Sequence, residues 1–388
     1  MAPKRKSAAA MDSSTVSKKL NHACEWDSHG SELKGIKPLM FLDGPGIPAS
    51  EVVYGFDIDG TIITTKSGRT FPTGQDDWKW LYPSVPDKLR KLHKEGSKVV
   101  FFTNQAGIEK SKTSPQAIMQ KITNMISEIG IPIQVFVATG TNHFRKPSCE
   151  MWDFMEKKCN GNVSVNRSKS YYVGDAAGRI KDWEKGKSKD FSCGDRKFAS
   201  NLGVGFQTPE EFFLSAKPTK SFEWRSADPQ KYTKCENPYK DSYHSSSQEM
   251  VIMVGQPASG KSTFTKKFFV PHGYVHVNMD TLKTEAKCIS TATAAIKDGK
   301  SVVVDNTNSS QGHRAKYIQI AKSHSVPVRC FFMNIDSELA HHLNFVRQNQ
   351  TSGEIRRKWG NTSHPRCRIQ RFQKEFRQTD FGRRLLCY

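Results

Sequence analysis

Residues 250–263 restrict the possible architectures more than any other stretch. Five apolar residues, Met250-Val251-Ile252-Met253-Val254, read as a buried strand, and Gly255-Gln256-Pro257-Ala258-Ser259-Gly260-Lys261-Ser262-Thr263 follows at once. The pattern is Gly, four residues, then Gly-Lys-Ser, in the setting such a loop requires: strand before, helical pattern after. The glycines let backbone N–H groups close on phosphate oxygens at a helix N-terminus. Lys261 would reach the β- and γ-phosphates of ATP, and Ser262 would help hold Mg²⁺. Downstream, apolar strands end at Asp280 and Asp305, residues 328–333 form another, and a helical pattern over 337–350 carries Arg347. Asp280 can accept the proton of an attacking hydroxyl, or cap the helix beginning at Thr281. Asp305 suits a metal-side acid, an acceptor contact or a turn. Arg347 can neutralise charge over a triphosphate, or be a solvated helix arginine.

The N-terminal half repeats the theme with different chemistry. Val52-Val53-Tyr54 reads as a strand leading into Phe56-Asp57-Ile58-Asp59-Gly60-Thr61. On an extended backbone Asp57 and Asp59 share a face, and two adjacent carboxylates repel unless a cation such as Mg²⁺ joins them. A solvated turn is the plain alternative. Further strands over 98–102, 134–138 and 171–173 alternate with helical patterns from Pro86, over 115–129 and over 148–158. This alternation describes an open parallel α/β sheet, whose ligands bind at the carboxyl ends of the strands. That rule gathers Asp57, Asp59, Thr103, Lys146 and Asp175. One carboxylate can attack phosphorus, and a second can protonate the leaving oxygen and then activate water. A hydroxyl and a lysine can hold the phosphoryl oxygens while Asp175 completes a metal's ligands. Each has a plain alternative: Thr103 as a strand-end cap, Lys146 as surface charge, Asp175 as an Asx turn. Their occurrence at successive strand ends favours the site. The aromatics of Trp78-Lys79-Trp80-Leu81-Tyr82-Pro83 are expected to pack as core, or else as a flap near the site.

A chain of 388 residues accommodates two such domains. Its charge, 59 − 38 = +21, favours a polyanionic partner, nucleic acid before a membrane surface. The excess is unevenly spread: 25 − 19 = +6 over 51–218, 12 − 8 = +4 over 248–354, and 10 − 2 = +8 over the last 34 residues. Nine scattered cysteines without Cys-x-x-Cys spacing read as reduced thiols of an intracellular protein. No apolar run reaches the roughly 18 residues of a membrane helix, and no secretory h-region is present. Pro3-Lys4-Arg5-Lys6 and Lys18-Lys19 resemble a nuclear-localisation patch, or are a solvated tail. Residues 1–35 are expected to be a disordered basic tail, 36–218 the first domain, 219–247 a linker, 248–354 the second domain, and 355–388 an atypical basic segment.

Several of these motifs occur together in a known family. Phe56-Asp57-Ile58-Asp59-Gly60-Thr61, Phe101-Phe102-Thr103-Asn104-Gln105, Arg145-Lys146-Pro147 and Gly174-Asp175-Ala176-Ala177-Gly178-Arg179 resemble the haloacid dehalogenase superfamily of phosphatases. Phe71-Pro72-Thr73-Gly74, Trp78, Leu81-Tyr82-Pro83 and Lys189-Asp190-Phe191-Ser192-Cys193 narrow the resemblance to the phosphatase domain of the polynucleotide kinase 3′-phosphatase family. Gly-Tyr-Val-His-Val-Asn-x-Asp at 273–280 and Asp-Asn-Thr-Asn at 305–308 resemble that family's P-loop kinase domain. The resemblance implies Asp57 as nucleophile, Asp59 as general acid/base, and Asp57, Asp59 and Asp175 as the Mg²⁺ site. It implies Thr103 and Lys146 as phosphoryl ligands, Asp280 as the base for a 5′-hydroxyl, and Arg347 as a lid residue. A bifunctional, nuclear, monomeric enzyme follows, acting on DNA ends at single-strand breaks, nicks, gaps and double-strand ends. Two departures stand out: residues 1–35 are too short for a forkhead-associated domain, and 355–388 lack the family's C-terminal pattern, which makes the kinase the less secure activity. A small-metabolite phosphatase fused to a small-molecule kinase and a non-catalytic nucleic-acid scaffold are the competing readings.

Overall fold

Strands buried on both faces need apolar residues at every position, and this chain supplies such runs in two places. The computed structural model describes residues 25–30, 38–228 and 242–350, the last three by backbone alone. It divides into two compact units between Arg225 and Ser226, within the stretch expected to link two domains.

The first unit contains β1 (Glu25–His29), β2 (Leu39–Asp43), β3 (Val53–Phe56), the short hairpin β4 (Ile63–Thr64) and β5 (Lys79–Trp80), β6 (Lys98–Asn104), β7 (Gln134–Ala138), β8 (Tyr171–Val173) and β9 (Gly205–Gln207). Its main sheet has the order β1-β2-β7-β6-β3-β8-β9. The strands from β7 to β9 are parallel, and β1 and β2 add antiparallel on the β7 edge. Alternation along β6 sends Val99 and Phe101 to one core and Val100 and Phe102 to the other. Helices Val85–Lys94 and Pro115–Ile129 cover the first face through Leu89, Ile118, Ile122 and Met125; helices Glu150–Lys158 and Gly194–Leu202 cover the second through Trp152, Met155 and Phe198. Each of these buried side chains contributes about 1.5–3 kcal/mol of transfer free energy. Helix Pro115–Ile129 is delimited by its sequence: the Ser114 hydroxyl accepts from Ala117 N at 3.1 Å, Pro115 opens the first turn, and Gly130 closes it at φ 73°.

The second unit is smaller. Strands β10 (Met250–Val254), β11 (Val275–Val277), β12 (Val302–Asp305) and β13 (Val328–Phe332) form a wholly parallel sheet in the order β11-β12-β10-β13. Helices Glu285–Lys297 and Gln311–Ser323 bury Cys288, Ala292, Ile296, Tyr317 and Ala321 on one face, while Phe264, Phe268 and Phe269 pack on the other.

One expectation meets a different outcome. Residues 25–29 fall in the supposed disordered tail, yet they form an edge strand paired with β2 from Glu25↔Asp43 to His29↔Leu39. Trp26 anchors it, packing on the core and donating from Nε1 to Thr123 Oγ1 at 3.2 Å. The start of the linker packs against the first unit, one of the two arrangements its sequence allows: Glu223 N donates to Gly178 O at 2.8 Å and the Arg196 guanidinium lies 4.0 Å from the Phe222 ring centroid. Trp78, Trp80 and Tyr82 pack against the first core as expected. The basic patches at 3–6 and 18–19, and residues 355–388, lie outside the described residues. No described helix is long and apolar enough to cross a membrane.

Candidate active sites

Central strands β6, β3 and β8 end together and deliver three of the expected residues to one place. The chain leaves β3 at Asp57, whose N–H still donates to Val173 O at 3.0 Å, then turns tightly about the Ile58 carbonyl. Gly60 permits the turn in two ways. Its φ is +83°, and a Cβ there would lie 2.7 Å from Asp175 Oδ2. Gly174 is needed for similar closeness, since its Cβ would fall 2.4 Å from an oxygen of Asp195.

Lys146 is the hub. Its side chain is 2% exposed, and Nζ donates to Asp57 Oδ1 at 2.7 Å, Asp195 Oδ1 at 2.8 Å and Tyr172 Oη at 2.6 Å. Burial opposes the ammonium charge, but Asp195 and Asp57 outweigh it and hold its pKa above the ordinary value. Burial pushes Asp57 up to about 7, with Lys146 opposing and Asp195 reinforcing. Burial, then Asp57 and Asp195, holds Asp175 well above the carboxylate range. Carboxylate oxygens of Asp57, Asp175 and Asp195 lie within 4.8 Å of one another. Asp195 spends both of its oxygens, on Lys146 and on Ala176 N. Asp57 spends only Oδ1 among the described residues, and Asp175 Oδ1 takes a long 3.4 Å bond from Thr61 Oγ1. Two partly buried carboxylates with lone pairs to spare and too little positive charge fit a hard divalent cation such as Mg²⁺.

Thr103, buried at the end of β6, accepts from Gln105 Nε2 at 3.0 Å, and the same nitrogen reaches Asp59 Oδ2 at 2.8 Å. Asp59 departs from the expected arrangement. Its carboxylate is not in the close trio: it is half exposed, accepting from Lys121 Nζ at 3.0 Å and Gln105 Nε2 at 2.8 Å. The tight turn at Ile58 separates the two carboxylates, and each meets its own ammonium, Lys146 at Asp57 and Lys121 at Asp59.

In the second unit, Gly255, Gln256, Pro257, Ala258 and Ser259 connect β10 to the helix Lys261–Phe268, with Gly260 as N-cap at φ 92° and no side-chain cap. The first turn therefore carries Lys261, Ser262 and Thr263 with its amides uncapped by side chains, the arrangement that suits a phosphate. Lys261 Nζ donates to Gly255 O and Gln256 O, both at 2.8 Å, and burial pulls its pKa down to about 8. After burial, the charges of Asp305, Arg347 and Asp280 act on its ammonium. Asp305 is buried, which pushes its pKa up, but hydrogen bonds from His276 and Ser262 outweigh burial and hold it low. His276 Nε2 lies 3.0 Å from Asp305 Oδ2, and Asn278 Nδ2 donates to the Asp305 carbonyl at 2.6 Å. Asp280 is exposed, and the cap of the short helix Met279–Leu282 is Asn278 rather than Asp280. Arg347 is exposed on the helix Ser337–Gln350, donating to Asn344 Oδ1 at 3.0 Å.

Comparison with known proteins brings both units under one heading. Residues 52–213 match the family model for polynucleotide kinase 3 phosphatase, and residues 283–378 match a model for an AAA domain. A bifunctional polynucleotide phosphatase/kinase of Schizosaccharomyces pombe is 40% identical over 296 residues, 75% of this chain and 69% of its own. The chain belongs to the bifunctional polynucleotide phosphatase/kinase family. A putative member from Acanthamoeba polyphaga mimivirus is 34% identical over 360 residues, covering 85% of this chain and 82% of the other. The polynucleotide 3′-phosphatase ZDP of Arabidopsis thaliana is 36% identical over 196 residues, 47% of this chain and 27% of its own. The AAA match takes in residues 355–378, which by pattern alone stand apart as an atypical segment.

Pattern reading missed three polar residues of this family member's sites. Asp195 lies just beyond the quoted 189–193 motif, in the first turn of a helix, and only the fold brings it to Lys146. His276 alternates with Val275 and Val277 on β11 and carries no signal of its own. Lys121 did carry one: it stands three residues after Ile118 and four before Met125, the spacing of an inward face.

Proposed function

We propose that the chain repairs broken DNA ends, removing 3′-phosphates at the first site and phosphorylating 5′-hydroxyls with ATP at the second. The observation that carries this reading is the buried Lys146–Asp57–Asp195 cluster with Asp175 in one unit, and a phosphate-binding loop in the other. In the first reaction Asp57 attacks phosphorus as the bond to O3′ breaks, and the proton for O3′ comes from Asp59. Asp59 then takes a proton from the water that splits the aspartyl-phosphate. Lys146 and Thr103 hold the phosphoryl oxygens against the carboxylates that would repel them. Asp57 and Asp175 would hold Mg²⁺, which when bound supplies positive charge to the phosphoryl oxygens. In the second reaction the loop amides and Lys261 bind the triphosphate, Ser262 and Asp305 serve the metal side, Asp280 accepts the proton of the 5′-hydroxyl, and Arg347 neutralises developing charge.

The test is a nicked duplex bearing a 3′-phosphate and a 5′-hydroxyl, assayed with Mg²⁺ and labelled ATP beside the matching RNA. Turnover of both DNA ends with steep salt dependence supports the reading. Turnover of sugar phosphates but not of DNA ends would overturn it in favour of a metabolic phosphatase–kinase. The basic patches at 3–6 and 18–19 support a nuclear location, which imaging of a tagged chain with and without residues 1–24 would test.

A further inference from the structure

Helix Pro115–Ile129 turns Ile118, Ile122, Met125 and Ile129 into the core, and in the middle of that face stands Lys121, 4% exposed. A buried ammonium is costly unless paired, whereas a leucine or methionine would fill the same volume without electrostatic cost. Its one hydrogen-bond partner among the described residues is Asp59 Oδ1, at 3.0 Å. The other oxygen, Oδ2, accepts from Gln105 Nε2 at 2.8 Å, and the same nitrogen reaches Thr103 Oγ1 at 3.0 Å. A half-exposed aspartate on a turn would otherwise sample several rotamers. Here each carboxylate oxygen is tied to a different buried or half-buried element.

We propose that Lys121 is a positioning residue for the phosphatase reaction. By taking Oδ1, it leaves Oδ2, on the Gln105 and Thr103 side, as the oxygen that carries the proton. That proton passes to O3′ as the Asp57–phosphorus bond forms and the phosphorus–O3′ bond breaks. The inference rests on the reading of Asp59 as acid/base and adds the group that aims it. A role in packing alone needs only the methylenes of Lys121; a role in aiming Asp59 needs the ammonium.

Leaving-group dependence separates the two, because departing O3′ of a sugar needs a proton and departing p-nitrophenolate does not. In the full chain, Lys121→Met is expected to lower kcat/KM at least about 10-fold on a 3′-phosphorylated oligonucleotide, with KM little changed, and under about 3-fold on p-nitrophenyl phosphate. Lys121→Gln, which keeps a donor, should recover part of the loss. Adding Lys121→Met to Asp59→Asn should cost nothing further on the oligonucleotide. Equal losses on both substrates in both variants, or no loss in either, would overturn the proposal. Asp59→Asn alone tests the reading beneath it: if that variant lacks the leaving-group split, the acid/base role of Asp59 fails. If it has the split and Lys121→Met does not, only the positioning role of Lys121 fails.

Discussion

The two sites lie at the same place in the same kind of sheet, yet they are built on opposite electrostatic plans. At the end of β3 the fold concentrates negative charge: Asp57, Asp175 and Asp195 crowd one buried ammonium. At the end of β10 it presents a positive charge: Lys261 is buried against carbonyl oxygens and feels the charge of Asp305, with Asp280 and Arg347 on exposed ground. The difference suits what each must receive. A phosphoryl group leaving on a carboxylate needs a fixed nucleophile and a cation. A triphosphate brings its own negative charge and needs donors waiting for it.

If the plans are independent, single changes should separate them completely, which is the largest effect expected. Asp57→Asn should reduce 3′-dephosphorylation by more than about 10³-fold and leave 5′-phosphorylation within twofold; Lys261→Met should do the reverse. Both rates can be read from one nicked substrate. A loss that crosses from one site to the other would mean that the two units do not work separately.

The next contrast is in stability. Lys146→Met strands buried carboxylates without their counter-charge and should destabilise the first unit by about 3–5 kcal/mol in chemical denaturation. The same change at Lys261 removes a buried charge that no carboxylate contacts directly among the described residues, so the second unit should lose far less. Comparable losses would contradict the difference in plan.

Much of this contrast could be read before the fold was known, and the reason is physical. Strands β6, β8 and β10 are covered on both faces, so each contains an apolar run, and Thr103, Asp175 and the phosphate-binding loop follow those runs. Helices Glu285–Lys297 and Gln311–Ser323 went unread because they bury mainly small or isolated groups, Cys288, Ala292, Ala321 and Tyr317, which leave a faint periodicity. Strand β1 hides in a polar stretch because its anchors, Trp26 and His29, make no apolar alternation. Asp195 is 49 residues from Lys146 along the chain, a distance that only tertiary structure closes.

Smaller effects, of opposite sign in the two units, are expected with pH. Asp57 is raised from 3.8 to about 7, so the folded chain holds a proton that the unfolded chain releases. The stability from this group is present below about pH 4 and is lost as pH rises through about 7. Lys261 is lowered from 10.5 to about 8, so the unfolded chain holds the extra proton, and stability from this group increases between about pH 8 and 10.5. Thermal melts without metal or nucleotide should therefore show the first unit weakening from pH 5 to 8. Mg²⁺ should restore more of it at pH 8 than at pH 5, and EDTA should reverse the gain. Identical pH slopes for the two units would remove the electrostatic distinction.

The smallest expected effect concerns a loop for which no counterpart is described in the second unit. Between β4 and β5, the Asp77 carboxylate accepts from Ser67 N and Oγ at 2.7 Å and from Thr73 N and Oγ1 at 2.8 and 3.0 Å. The hydrogen bonds from Ser67 and Thr73 hold its pKa well below the usual carboxylate range. Four bonds to one carboxylate fix the ends of a segment carrying Phe71, which is 79% exposed and presents a face on which an unpaired base can stack. Asp77→Ala should free the loop without touching the carboxylates at β3. Cleavage within 67–77 under limited proteolysis should speed up, and KM for a 3′-phosphorylated single strand should rise about threefold, less than one stacked base is worth. The kcat on that strand and KM on p-nitrophenyl phosphate should stay unchanged, because neither depends on where a base rests. A fall in kcat instead would make the loop part of the carboxylate site and not a surface beside it.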